Sequence, residues 1–119
     1  MSKQTWTEHI TDIKAVGSRV TCNPAPKDTD EDWLIYSENF STFIGDCIER
    51  GFVDEGDYAD SQFRSLRSGS NNLIVTDRKE FFDKFMLATH VCKTLNLLNK
   101  QNRIVVFQAI LYEKEYGKP

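Results

Sequence analysis

Two carboxylates one residue apart, Asp30 and Asp32, head the run Asp30-Glu31-Asp32-Trp33-Leu34-Ile35, and upstream of them lies Val16-Gly17-Ser18-Arg19. Side chains alternate across a strand, so carboxylates at i and i+2 point to one face. Such a pair can hold a hard divalent cation, Mg²⁺ or Mn²⁺, whose other ligands are water and nucleotide phosphates. A Gly-Ser turn leaves room for a phosphate, with the Ser18 amide and hydroxyl as donors and Arg19 as countercharge. The two segments together predict metal-assisted nucleotide chemistry.

Two other readings of the acidic run compete with this one. Asp28, Asp30 and Asp32 alternate as in a calcium loop, but with Asp28 as the first position Trp33 stands where the sharp turn needs Gly, and Asn39 where a bidentate Glu belongs. The run could also be an acidic, solvated loop entering a strand. The upstream Gly-Ser turn and the apolar Trp33-Leu34-Ile35 favour the metal site, with Asp30 and Asp32 as its ligands and Asp28 in the loop.

The spacing resembles the signature of the nucleotidyltransferase superfamily, the DNA polymerase beta-like fold, over Val16 to Ile35. Glu31 departs from it, since the family places an apolar residue between the aspartates; the strand is expected to be less buried there. The resemblance implies an α/β (α+β) fold, a nucleotidyltransferase-like palm whose mixed β-sheet is covered by helices mainly on one face. It implies catalysis by Asp30 and Asp32, which would bridge two metal ions in an in-line displacement. It also implies a third carboxylate on a neighbouring strand. That strand reads Asn71-Asn72-Leu73-Ile74-Val75, so Asn72 takes the place of the third metal ligand, and a neutral amide holds a hard cation less well. Asp77, five residues on, is better placed as a helix cap, with Glu80 three residues later. The segments Leu73 to Thr76 and Phe107 to Leu111 also resemble short nucleotidyltransferase-like proteins of tailed bacteriophages.

Nucleotide-binding residues expected on these grounds are Gly17, Ser18 and Arg19, joined by Lys100 and Arg103 beside the last helix, where phosphate is attracted by free amides and the dipole. Arg64 and Arg67 lie on one strand beside the site. His9 and His90 have no carboxylate or cysteine partner at useful spacing and are expected at the surface or in the core. Trp33, in an apolar strand, is expected to pack in the core.

The elements that must position these residues follow from periodicity. Trp6 and Ile10, four apart, suggest a short amphipathic helix over Thr5 to Asp12. Ile13 to Val16 reads as a strand entering the Gly17-Ser18 turn, Asn23 to Lys27 as loop, and Asp32 to Tyr36 as a strand. Phe40, Phe43, Ile44, Cys47 and Ile48 form a helical stripe ending near Gly51. Val53 to Ser61 reads as an acidic loop or irregular hairpin. Phe63 to Arg67 and Asn72 to Thr76 are strands joined by a tight turn. Phe81, Phe85, Ala88, Cys92 and Leu95 line a long helix behind Asp77, broken by Asn99 to Asn102. Arg103 to Tyr116 reads as a last helix, with Ile104, Phe107, Ile110 and Leu111 inward; the β-branched run Ile104 to Val106 leaves a strand possible at its start.

With 119 residues the chain is read as one domain, a palm without a second domain to grip nucleic acid. Its formal net charge of −3 argues against strong binding of duplex nucleic acid. Three cysteines without metal-type spacing, and no apolar stretch near a membrane span of about 20 residues, suggest reduced thiols in a cytoplasmic protein that is not membrane-bound. Two functions remain open. One is a Mg²⁺-dependent nucleotidyltransferase moving a nucleoside monophosphate from an NTP to a hydroxyl of RNA or protein. The other is a catalytically weak or inactive nucleotide-binding or partner-binding module with the same fold.

Overall fold

The computed structural model describes residues 8–23, 30–58 and 63–111, with the side chains of 56–58 outside the description. Five strands form one sheet: β1 (Asp12–Val16), β2 (Glu31–Tyr36), β3 (Val53–Tyr58), β4 (Phe63–Ser68) and β5 (Asn71–Thr76), in the order β1-β2-β5-β4-β3. β2 and β5 are parallel; every other neighbouring pair is antiparallel. The helices are α1 (Ser18–Thr21), α2 (Phe40–Glu49), α3 (Lys79–Leu95) and α4 (Lys100–Leu111). The expected mixed α+β sheet is therefore present.

Alternation along the central strands divides the core in two. Ile35, Leu66, Leu73 and Val75 point to one face, where α2 covers them with Phe43, Ile44 and Cys47. Leu34 and Val16 point to the other face, against Phe81 and Phe82 of α3, with Ile74, Phe63 and Leu111 packed around them. The Phe85 and Phe107 rings meet edge to face at 4.9 Å and join α4 to α3. Because β2 and β5 are covered on both faces, their sequences run apolar without a polar alternate at Leu34-Ile35 and Leu73-Ile74-Val75. Glu31, at the exposed start of β2, matches the reduced burial expected there.

Several boundaries differ from the sequence expectation. Residues 5–7 of the first expected helix lie outside the described residues, as do Asp28 and residues 112–119. Glu8 and His9 form a turn and Asp12 already belongs to β1. The acidic stretch after Val53 is an edge strand, because antiparallel bonding to β4 needs only backbone groups and tolerates carboxylates on an exposed edge. α3 stops at Leu95, where Asn96 adopts a left-handed conformation (φ 49), earlier than the Asn99 break expected; Leu95 is consequently 60% exposed rather than inward. Ile48 likewise lies on the outer side of α2. Ile104 to Val106 is helical, and the inward residues of α4 are half-buried, packed mainly against α3.

Asp77 does not cap α3. The N-cap residue is Arg78, without a side-chain cap bond, and its N–H donates to the Thr76 hydroxyl at 3.0 Å. Asp77 is exposed while Thr76 is fully buried at the end of β5, so the buried hydroxyl turns the chain from strand to helix. Thr76→Val is expected to lower unfolding free energy by about 1 kcal/mol in urea titrations, whereas Asp77→Ala changes it by less than about 0.5 kcal/mol. The opposite ranking would return the cap to Asp77.

Candidate functional site

The end of β1 and the start of β2 meet in register, Val16 opposite Asp32. Gly17 follows with φ 85, a conformation that favours glycine, and its carbonyl accepts the first bonds of α1 from Val20 (2.9 Å) and Thr21 (3.0 Å). A Cβ at Gly17 would lie 3.0 Å from both Cβ and Cγ of Asp32 and would overlap its Oδ2. Glycine is thus required twice, by backbone conformation and by the carboxylate lying against it. Ser18 and Arg19 open α1 immediately beyond this contact.

The other end of α1 is tied to the junction between α3 and α4. The Asn23 N–H donates to Asn96 Oδ1 (3.1 Å), and the Asn96 amide donates back to the Asn23 carbonyl (3.3 Å). Arg103 donates from one guanidinium nitrogen to Cys22 Sγ (3.1 Å) and to the Leu97 carbonyl (2.9 Å). Arg103 therefore clamps the segment that carries the Gly17-Ser18 turn and sits at its far end from Gly17. Lys100 is exposed at the first position of α4, where Asn99 Oδ1 already accepts the Gln101 (2.8 Å) and Asn102 (3.2 Å) amides.

Parallel pairing sets Asp32 of β2 beside Asn72 of β5, both on the α3 face of the sheet. The Asn72 amide donates to Asp32 Oδ1 at 3.1 Å, and its oxygen accepts from the Ser65 hydroxyl at 3.1 Å. Asn72 stands where the third carboxylate was expected, but here it supplies a donor to an acidic neighbour. The same Ser65 hydroxyl lies 3.3 Å from Glu55 Oε1, so its single proton is shared between the two acceptors. Arg67, two residues along β4 on the same face, reaches Asp30 Oδ2 at 2.6 Å and Glu55 Oε2 at 3.4 Å. The chain Asp30-Arg67-Glu55-Ser65-Asn72-Asp32 thus links strands β2, β5, β4 and β3.

Glu55 and Ser65 escaped the sequence reading. A bulge between Asp54 and Gly56 in β3 interrupts the register there and delivers Glu55 to this face. No local motif announces it. Ser65 has a detectable signal, its position two residues from Arg67. Arg64, three residues from Arg67, turns to the opposite face and pairs with Asp54 at 2.8 Å, so only Arg67 of that pair adjoins the aspartates. Trp33 likewise faces away from Asp32, packing against the α2 core and lining an apolar cavity of about 540 Å³ with Ile10, Ile13 and Phe52; the sheet separates it from the carboxylates.

Burial raises the pKa of Asp32, reinforced by the neighbouring Asp30 charge and opposed by the Asn72 hydrogen bond and the Arg67 charge. A carboxylate whose charged form is disfavoured by burial and by a like-charged neighbour marks a candidate functional position. Among the described residues no group of three or more His, Cys, Asp or Glu side chains is arranged to hold a metal ion. Asp30 and Asp32 contribute carboxylate oxygens here, and Asn72 contributes a neutral amide. No described helix is long and apolar enough to cross a membrane.

No protein-family model and no curated protein matches the chain. Its structure is similar to the crystal structure of the conserved protein GrpB from Enterococcus faecalis, with a TM-score of 0.59 and 17% identity over 90% of this chain and 78% of that one. The two chains share a fold, and the five-stranded mixed sheet with its helices is compatible with a nucleotidyltransferase-like architecture.

The raised pKa of Asp32 fixes the sign of its pH dependence. The folded state holds the proton more tightly than the unfolded state, so stability falls as pH rises from the ordinary value of 3.8 through the raised folded value. Asp32→Asn is expected to leave the melting temperature at pH 7 unchanged or higher. The gain should vanish below the ordinary value. Thermal melts of both proteins across pH 3 to 7 check this, and a mutant less stable than the parent at neutral pH would contradict the assignment.

Proposed function

We propose that this chain is a nucleotide-binding module on a nucleotidyltransferase-like palm, in which Asp30 and Asp32 hold one Mg²⁺ or Mn²⁺ and the Gly17-Ser18-Arg19 turn receives the phosphates of an NTP. The observation that supports the reading is the close approach of Asp32 to Gly17, which brings one carboxylate against the turn and leaves no room for a side chain between them. When bound, the cation neutralises phosphate oxygens and stabilises Asp32 in its charged form. The Ser18 amide and hydroxyl orient the phosphates, and Arg19 adds countercharge. Arg103 acts through the clamp on Cys22 and Leu97, holding α1 in place.

A second reading is Mg²⁺-dependent transfer of a nucleoside monophosphate to a hydroxyl of RNA or protein. The paired aspartates beside Ser18 favour it, because in-line attack needs that charge at that place. Asn72 weighs against it, because its amide donates to Asp32 and contributes no negative charge toward activating a hydroxyl. The binding module is therefore the preferred reading.

Calorimetry of Mg²⁺-ATP binding tests the site. The double substitution Asp30→Asn with Asp32→Asn is expected to weaken binding at least about tenfold with the fold intact, as is Gly17→Ala, which places a Cβ against Asp32. Unchanged affinity in the double variant removes the site. The two readings separate on incubation with labelled NTP, Mn²⁺ and a cell lysate: label transferred to RNA or protein, increased by Asn72→Asp, establishes transfer.

A further inference from the structure

We propose that Arg67 is a built-in counter-ion that competes with the divalent cation for Asp30, so that the cation enters only by displacing the guanidinium. This rests on the reading that Asp30 and Asp32 are the cation ligands. In the present structure one guanidinium nitrogen lies 2.6 Å from Asp30 Oδ2 and Nε lies 3.4 Å from Glu55 Oε2. The fork thus spans the first acidic ligand and the bulged carboxylate of the edge strand.

The pairing is strong enough to hold and weak enough to yield. Asp30 and Arg67 side chains are 45% and 34% exposed, and ion pairs this open to water contribute little net stability. A dication shared by two carboxylates has twice the charge and a second anchor in Asp32, which Arg67 does not reach by hydrogen bond. Glu55 gives the displaced guanidinium a place to stay. It retains that partner on β3 while its freed nitrogen turns toward the phosphates that complete the cation's shell.

Cation entry and phosphate recognition are therefore coupled through one side chain. Without a cation, Arg67 neutralises Asp30; with one, the same charge becomes available to the ligand. The coupling is reciprocal, so an NTP that engages Arg67 raises cation affinity by the factor by which the cation raises NTP affinity. This device accounts for an arginine standing among acidic groups at a cation site, where a positive charge otherwise only repels the ion.

Titration with Mn²⁺ alone, followed by electron paramagnetic resonance of free Mn²⁺, isolates the competition from nucleotide binding. Arg67→Gln removes the charge and is expected to bind Mn²⁺ about fivefold more tightly than the parent, or better; Arg67→Lys, keeping the charge, stays within about twofold. Adding ATP should increase Mn²⁺ affinity in the parent and lose most of that effect in Arg67→Gln. Circular dichroism of each variant verifies that it is folded; should Arg67→Gln fail to fold, Glu55→Gln, which leaves Arg67 to Asp30 alone, is expected to weaken Mn²⁺ binding. Equal or weaker Mn²⁺ binding by folded Arg67→Gln overturns the competition, as does absence of Mn²⁺ binding in both proteins. The outcomes separate from those for the nucleotide site: Mg²⁺-ATP binding that depends on Asp30 and Asp32 with no Arg67 effect on Mn²⁺ sinks only the competition. Tighter Mn²⁺ binding in Arg67→Gln without any ATP binding sinks the nucleotide reading and the coupling to phosphate, and leaves the competition for Asp30 standing.

Discussion

The parallel pairing of β2 with β5 is the constraint from which the rest of the arrangement descends. Two parallel neighbours cannot be joined by a tight turn, so the chain must leave the end of β2 and return to the beginning of β5 by a crossover. Here the crossover contains α2 and the antiparallel pair β3 and β4. α2 covers one face of the strands it connects, and β4 comes back beside β5. The same register aligns Asp32 with Asn72 and Arg67 with Asn72 on the next strand, so one residue level across the sheet carries the polar groups of the site. One step further along β2 and β5 the sheet is closed on both faces by apolar side chains. The site lies where that double covering ends.

Electrostatic balance at this edge comes from unlike sources. Asp30 is compensated by an exposed guanidinium, while Asp32, half-buried, has an amide donor and the backbone of Gly17 against it. An amide partner stabilises charge less than a cation does, which leaves burial as the dominant influence on Asp32 and raises its pKa. Replacing an expected carboxylate by Asn72 has a structural reward: it hydrogen-bonds Asp32 on one side and Ser65 on the other, where a third carboxylate would repel Asp32. The arrangement is thus self-consistent, with a neutral amide beside Asp32.

Rigidity at the turn comes from far along the chain. α1 is too short to stabilise itself, since helix initiation fixes several residues for few bonds. It is held between Asp32 at its beginning and the Cys22, Asn96 and Arg103 contacts at its end. A loop positioned by packed elements at both ends is the usual way to place donors for a ligand. Arg103 contributes by donating to Cys22 Sγ and the Leu97 carbonyl, and Thr76 rather than Asp77 turns β5 into α3.

What the chain determined locally was legible without coordinates. The apolar run after Asp32, most of the stripes of α2 and α3 and the turn at Gly69 all follow from short-range periodicity and turn composition, and so does the shared face of Asp30 and Asp32. The fold class followed from the order of these elements. Tertiary structure alone decided which groups meet. Glu55 enters the site because a bulge shifts one strand, a consequence of pairing with β4 that an acidic, glycine-containing stretch does not signal. Arg67 joins Asp30 and Arg64 leaves it because alternation sends residues three apart to opposite faces once β4 is a strand beside β5. Arg103 and Lys100 diverge because the left-handed turn at Asn96 sets where α4 begins. Contacts between residues tens of positions apart depend on register and on where helices stop, and those are fixed only when the whole sheet and both its coverings pack together.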